Sequence, residues 1–121
     1  MTLTLGRVTS VRERSGVATP QRTVRPPRIR MVTPGFNFQV RNSVFVLVDA
    51  VSDLDRRGSL KVEITIDWST RIVASYSMVS GYYGAIWDST DVPAGTTHTI
   101  SAKVTDSAGN SKSTRTVVSV G

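Results

Sequence analysis

The residues best equipped for chemistry lie in the first thirty positions, where arginine is the only basic residue. Seven Arg and one Glu occur there, without any Lys. Because the planar guanidinium matches carboxylate and phosphate oxygens, this cluster predicts an anionic partner. Leucine and valine lie between the polar residues, so the segment could also add a strand to the edge of a partner's sheet. The predicted partner-binding residues are Arg7, Arg12, Arg14, Arg22, Arg25, Arg28, Arg30, Leu3, Leu5, Val8 and Val11.

The other side chains give little support for catalysis. His98 is the only histidine and lies in phase with the apolar residues of a predicted strand, so we interpret it as a partly buried structural residue. The sequence has no cysteine, which excludes disulfides, thiolate metal sites and a thiol nucleophile. Asp106 and Asn110 fit a turn without a metal. We therefore predict that the protein is not an enzyme and has no catalytic residue, metal or cofactor.

Three aromatic residues are candidates for contact with a glycan. Trp68 follows a predicted strand, and Tyr82 and Tyr83 are flanked by glycines in a predicted turn. Aromatic rings provide flat apolar area with a polar group at one end, which suits stacking on a sugar ring. Packing in the core or in a loop is the simpler interpretation of the same residues, and both stay open.

The elements that must position these residues are short β-strands. Residues 60–67 (LKVEITID) and 98–106 (HTISAKVTD) alternate between apolar and polar side chains, the period of a half-buried strand. Residues 44–51 (VFVLVDAV) are rich in β-branched residues, and the segments between the strands are rich in Gly, Asp, Asn and Ser. Because no segment has a helical period, we predict an all-β sandwich of about seven to eight antiparallel strands.

The second half of the chain resembles bacterial immunoglobulin-like (Ig-like) domains. The resemblance is carried by WDSTDVPAGTTHTISAKVTDSAGNSKSTRTVVSV at residues 87–120, supported upstream by PPRIRMVTPGFNFQVRNSVFVLVDAVSD and GSLKVEITIDW. It implies an Ig-like β-sandwich at residues 28–121, preceded by a basic extended N-terminal arm at residues 1–27. Domains of this family serve as accessory modules of secreted hydrolases, in adhesins and in structural proteins of tailed phages.

The resemblance also implies which side chains of the second strand are buried. Its pattern places Val44, Val46, Val48 and Ala50 inside and turns Phe45 and Leu47 outward. An outward Phe–Leu pair is unusual on a sandwich unless something covers it, so these two residues form a predicted interface patch. Coverage by the chain's own arm is the alternative. At the position of Trp87 the same pattern implies a core residue.

The distribution of charge leads to the functional prediction. The net charge of +6 lies in the first thirty residues, because residues 31–121 contain eight basic and eight acidic side chains. The start of the sequence does not have the pattern of a secretion signal. We therefore predict a non-enzymatic structural protein of a bacteriophage virion, a capsid decoration or tail-associated protein. Its arm would anchor it to a capsid or tail protein, and the Ig-like domain would be exposed, with homo-oligomers at symmetry axes.

Two alternatives belong to other classes of function. The first is a carbohydrate-binding or adhesion module of a larger secreted or cell-surface bacterial protein, in which Trp68, Tyr82 and Tyr83 contact a host-surface or other glycan. The second is nucleic-acid binding through the arginine-rich arm, which is less favoured because the arm has no aromatic residue to stack on bases. No segment has the roughly 20 apolar residues of a membrane span, so no membrane partner is expected.

Overall fold

A computed structural model describes residues 25–121, which form nine β-strands and one short 3-10 turn. Two of the strands have only two residues each, so the count slightly exceeds the predicted seven to eight. Within this described part, no helix is long and apolar enough to cross a membrane. The elements are β1 (Arg28–Thr33), β2 (Gln39–Val40), β3 (Ser43–Val51), β4 (Lys61–Ile66), β5 (Thr70–Val73), β6 (Ser75–Tyr76), β7 (Tyr83–Asp88), the 3-10 turn (Ser89–Asp91), β8 (Thr97–Thr105) and β9 (Ser111–Val120).

The strands form two sheets. A four-stranded sheet has the order β1-β3-β7-β6, and a five-stranded sheet has the order β2-β9-β8-β4-β5. Neighbouring strands are antiparallel except for β2, which runs parallel to the end of β9. The chain passes from one sheet to the other five times, after β1, β2, β3, β5 and β7.

The core lies between the two sheets and is built from alternate residues of the long strands. The predicted inward residues of β3 and β4 are buried, as are the apolar residues of β8 that follow His98, because a period of two places them all on one face. Trp87 is 6% exposed, which confirms that it is a core residue. The buried apolar set is Val44, Val46, Val48, Ala50, Leu60, Val62, Ile64, Ile66, Ala74, Tyr83, Ala85, Trp87, Ile100, Ala102, Val104, Val118 and Val120.

Tyr83 corrects one prediction. It is 2% exposed, and its hydroxyl accepts a hydrogen bond of 3.0 Å from the backbone N–H of Leu60. Its ring lies 5.1 Å from that of Tyr76 in a tilted arrangement. Burial raises the pKa of the phenol above its ordinary value. Tyr83 is therefore a core residue that holds the start of β4, and its prediction as a surface contact for a glycan is wrong.

The three arginines nearest the sandwich bind carboxylates of the same chain. Arg25 and Arg28 contact Asp53 at 3.1 and 3.3 Å. Arg30 contacts Asp49 at 3.5 Å, so the guanidinium groups that precede and begin β1 are tied to the end of β3 and the loop after it. The remaining predicted arm residues lie outside the described residues, namely Leu3, Leu5, Arg7, Val8, Val11, Arg12, Arg14 and Arg22.

Candidate ligand-binding cleft beside Trp68

Trp68 lies in the tight turn between β4 and β5. The turn is closed by a hydrogen bond of 3.1 Å from the Ser69 N–H to the Ile66 carbonyl. The φ angles of Asp67 and Trp68 are +53° and +64°, the left-handed values that a type I′ hairpin turn requires at both central positions. Glycine or asparagine usually occupies the second of these positions, because a bulky side chain is strained there.

Asp67 fixes this turn against the neighbouring strand. Its backbone N–H donates to the carbonyl of Thr99 at 2.8 Å, and its carboxylate accepts from the Thr99 N–H at 2.9 Å. The turn is thus anchored to β8 by a pair of bonds that continue the ladder between β4 and β8. Trp68, the next residue, is 65% exposed at the tip.

An open cleft of about 240 Å³ lies beside the Trp68 ring on the outer face of the five-stranded sheet. The pairing of β8 with β9 places Ser101 directly opposite Arg115, and both side chains point outward. Ser101 is nevertheless only 5% exposed, and its hydroxyl has no hydrogen-bond partner among residues 25–121. The residues that line the cleft are Trp68, Ser101, Ser113, Thr114 and Arg115.

This arrangement combines three kinds of recognition in one place. The indole ring provides a flat apolar wall with an N–H at its edge. The Arg115 guanidinium provides five N–H donors in a fixed plane. The Ser113 hydroxyl, which faces outward beside them, can donate and accept. A small ligand with one flat apolar face and several oxygens matches this set.

His98 belongs to a second group of polar residues, which resembles a catalytic triad in its connectivity. Its Nδ1 lies 2.5 Å from the Asp67 carboxylate, and its Nε2 lies 2.6 Å from the Thr96 hydroxyl. That hydroxyl, however, donates its one hydrogen to the Pro93 carbonyl at 2.6 Å. The hydrogen of Thr96 is thus held by a backbone carbonyl and is not directed at the His98 ring.

Because the Pro93 carbonyl holds the hydrogen of the Thr96 hydroxyl, His98 is not placed to take a proton from Thr96. The His98 side chain is also only 11% exposed, and its ring packs edge-on to Trp87 with centroids 5.6 Å apart. Desolvation would raise the pKa of Asp67, but the hydrogen bonds from His98 and from the Thr99 N–H outweigh it and lower that pKa. His98 is thus a bridge between the β4–β5 turn and the loop before β8, in agreement with the prediction that it is a partly buried strand residue.

A larger cavity of about 410 Å³ lies on the other side of the hairpin, and three carboxylates contribute to its wall. They are Asp67, Asp88 and Asp91, beside the buried ring of Trp87. The carboxylate of Asp88 has a structural role: it accepts hydrogen bonds from the Thr90 N–H and hydroxyl at 3.0 and 2.6 Å and so caps the 3-10 turn. No group of three or more His, Cys, Asp or Glu residues that could hold a metal ion is present within residues 25–121.

The predicted interface patch has the predicted orientation. Phe45 is 62% exposed and lies opposite Ile86 of β7, which is also exposed. Leu47 is half-buried, because its side chain lies over Gly84. A Cβ atom at position 84 would lie 3.0 Å from the Leu47 side chain. Phe45, but not Leu47, lines a groove of about 270 Å³ together with Phe38 and Pro34. The role of the pair as an interface stays a prediction.

The cleft contains one of the three predicted glycan contacts. Trp68 forms its wall, Tyr82 is half-buried and does not line it, and Tyr83 is in the core. The sequence analysis did not single out Ser101 or the segment from Ser113 to Arg115. They could have been predicted from the pairing of the last two strands, because that pairing brings the outward residues of β8 and β9 together.

The chain is similar to two solved structures. The first is an endo-β-1,4-mannanase from Thermotoga petrophila. The aligned region covers 82% of this chain and 20% of the mannanase chain, with 16% identity and a TM-score of 0.61. The second contains fibronectin(III)-like modules of CbhA from Clostridium thermocellum. Here the aligned region covers 93% of this chain and 50% of the other chain, with 15% identity and a TM-score of 0.60. This chain thus spans about a fifth of the mannanase chain and about half of the CbhA chain.

At this level of identity the likeness shows the fold alone. No protein-family model matches the sequence, and no curated protein does either. The sheet order and the similarity to a fibronectin(III)-like module together define the class: residues 25–121 form an all-β sandwich of the Ig-like type. This confirms the predicted fold class.

Proposed function

We propose that this chain is a non-enzymatic binding module that holds a saccharide in the cleft beside Trp68. The observation that carries the proposal is the exposed indole of Trp68 at a left-handed backbone position. A residue in a rarely populated backbone conformation costs about 1–3 kcal/mol and persists where the surroundings impose it, often at ligand contacts. A large exposed apolar ring at such a position contributes little to folding and suits stacking on a ligand.

The dimensions of the cleft indicate how much of a saccharide it holds. Its volume of about 240 Å³ lies below the range of about 300–1,000 Å³ for pockets that enclose drug-sized ligands. The cleft is also open to solvent along the sheet. We therefore expect it to hold a single sugar unit of a longer chain, with the neighbouring units along the outer face of the sheet.

The polar groups of the described residues favour binding over catalysis. Asp67, His98 and Thr96 are connected in the order of a catalytic triad, but their hydrogen bonds are structural. The Thr96 hydroxyl, for example, donates to the Pro93 carbonyl. Asp106, a buried carboxylate in the turn between β8 and β9, accepts from the N–H groups of Ala108 and Asn110 at 3.0 and 2.9 Å and shapes that turn. We therefore propose that the cleft selects and holds a saccharide without cleaving it.

The test is retention of the full chain by immobilised polysaccharides. β-1,4-Mannan is one probe, because part of an endo-β-1,4-mannanase has this fold, and cellulose, xylan, pectin and alginate complete the panel. Trp68→Ala should abolish retention, and Trp68→Phe, which keeps a ring, should preserve part of it. Phe36→Ala removes an equally exposed ring that does not line the cleft and should have no effect. Retention that survives Trp68→Ala would refute the proposal.

A second candidate function is favoured by the distribution of charge. The first thirty residues carry seven Arg against one Glu, and residues 31–121 are neutral. Such an arm could anchor the sandwich to an acidic surface of a larger assembly, and a phage capsid or tail is the setting that we favour. Many copies on a lattice would make even a weak anchor sufficient, because linked contacts act as one high-avidity interaction.

The anchoring role is tested by sedimentation with particles. The full chain and a chain without residues 1–27 are mixed with lysate from the source, and the pelleted proteins are identified. Pelleting of the full chain with a single coat protein, together with a soluble truncated chain, would support the anchor. If the arm instead binds nucleic acid, its affinity should fall steeply with salt, by about one log unit per log unit of salt for each phosphate contacted.

A further inference from the structure

We infer that the cleft is specific for an acidic sugar, whose carboxylate binds the Arg115 guanidinium while the sugar ring lies against Trp68. This inference rests on the proposed function and names the class of saccharide. It is argued from the charge and the hydrogen bonding of the residues around the cleft.

Arg115 is the arginine that lines the cleft, and like Arg41 and Arg56 it has no ion-pair partner among residues 25–121. Arg71, by contrast, contacts Glu63 at 3.6 Å, and Arg57 contacts Asp49 at 3.0 Å. The place of Arg115 opposite Ser101 puts the guanidinium at the edge of the cleft. Because two parallel N–H groups of a guanidinium fit the two oxygens of a carboxylate, this residue favours a carboxylate ligand.

The charges around the cleft also favour an anion. Lys103 lies opposite Ser113 on the outer face of the five-stranded sheet and adds a second positive charge next to the cleft. Glu63, the acidic residue in β4, is already paired with Lys61 at 3.9 Å and with Arg71. Asp67 is engaged by His98 and lines the larger cavity, not the cleft. The face beside Trp68 is therefore positive, which attracts anions.

Single-stranded nucleic acid is the competing anionic ligand, and the geometry favours it less. Proteins that bind single strands arrange several aromatic residues along a basic groove, so that successive bases stack. The cleft has one aromatic residue, beside the Arg115 guanidinium and the outward Ser113 hydroxyl. One ring with a guanidinium and a hydroxyl beside it matches a single charged sugar unit better than a chain of bases.

The test compares each acidic oligosaccharide with its own neutral ester. Trigalacturonate, a glucuronate-containing oligosaccharide and trimannuronate are titrated into the full chain by calorimetry, each beside its methyl ester. At least one acid should bind about tenfold to a hundredfold more tightly than its ester, because a hydrogen bond to a charged group contributes that much. Arg115→Gln should remove this preference. Arg71→Gln, which takes one positive charge from the same face but not from the cleft, should leave it intact.

The outcomes separate this inference from the proposed function. Binding that requires Trp68 but does not distinguish acid from ester would overturn the inference and leave the proposed function standing. Absence of binding to any acid, ester or neutral saccharide would overturn both. A single-stranded oligonucleotide that binds more tightly than every saccharide, with loss on Trp68→Ala, would assign the cleft to nucleic acid and overturn both as well.

Discussion

At the scale of single residues, the conflict between backbone and side chain at Trp68 is the most informative feature. Asp67 tolerates a left-handed conformation because its short polar side chain can bond locally, as it does with the Thr99 N–H. An indole has no such local bond. The turn would be more stable with asparagine or glycine at position 68, so its tryptophan favours a role in binding over one in folding.

Trp68→Asn should therefore change stability and binding in opposite directions. Asparagine adopts left-handed φ values readily, so we expect the free energy of unfolding to rise by about 1 kcal/mol. Saccharide retention should be lost with the ring. Chemical denaturation measures the first effect and retention on polysaccharide the second. A variant that is clearly less stable than the parent chain would mean that packing of the indole outweighs the strain.

At the scale of elements, strands with clean alternation could be predicted from sequence, and the short strands could not. Residues 60–67 and 98–106 have a period of two and belong to β4 and β8 with the predicted faces inward. The strands β2 and β6 have two residues each, which is too short for any period to appear. Their positions depend on which sheet the chain joins after Pro34 and Ala74, and that is decided by tertiary packing.

Tyr83 shows how a local signal can mislead about a side chain. Glycines on both sides of the Tyr82–Tyr83 pair indicated a surface turn, but Tyr83, Ala85 and Trp87 alternate toward the core in β7. That period of two was present in the sequence. The cleft was harder to predict, because its residues come from different elements. Ser101 in β8 is more than thirty residues from Trp68 in the sequence, and Arg115 in β9 comes beside them only when β8 pairs with β4 and β9.

Tyr83→Phe should destabilise the sandwich although it removes a single oxygen atom. The change leaves the N–H of Leu60 buried without its acceptor, which costs about 1–3 kcal/mol. Thermal and chemical denaturation would measure the loss. Tyr76→Phe is the matched control, since its hydroxyl makes no hydrogen bond with residues 25–121. Equal effects of the two changes would argue that the Tyr83 hydroxyl contributes little.

At the scale of the whole molecule, the basic arm and the sandwich are predicted to act separately. Residues 1–24 contain four Arg and one Glu, and the two-sheet core is complete within the described residues. We expect a chain without residues 1–24 to unfold at the same denaturant concentration as the full chain and to bind saccharide equally well. Circular dichroism and calorimetry check both points. A large loss of stability would mean that the arm packs on the sandwich.

Acid should weaken the sandwich through its aspartates. The pKa of Asp67 is below its ordinary value in the folded protein, because bonds from His98 and the Thr99 N–H outweigh desolvation. Its contribution is therefore complete above the unfolded pKa of about 3.9 and is lost as the pH falls through the folded pKa. The pKa values of Asp53, Asp55 and Asp88 are lowered as well. Stability should fall as the pH drops below about 4.

Asp67→Asn isolates one part of this dependence. The variant should be less stable at pH 7, by on the order of 1 kcal/mol or less, because the carboxylate is partly exposed. The difference should shrink as the pH is lowered toward about 2, because the carboxylate of Asp67 loses its charge as the pH falls through its folded pKa. Urea denaturation at the two pH values checks this. A difference that is the same at both pH values would mean that the charge of Asp67 is not what stabilises the turn.

The two tryptophans lie in opposite surroundings, and this gives the protein two built-in fluorescent reporters. Trp87 is 6% exposed in the core, whereas Trp68 is 65% exposed at the cleft. Emission from Trp68 should be red-shifted and accessible to iodide or acrylamide, and emission from Trp87 should be blue-shifted and shielded from them. Loss of quenching on addition of a ligand to the parent chain would then report occupancy of the cleft. The red shift of Trp87 in Trp68→Phe would report unfolding, so each event has its own signal without a label.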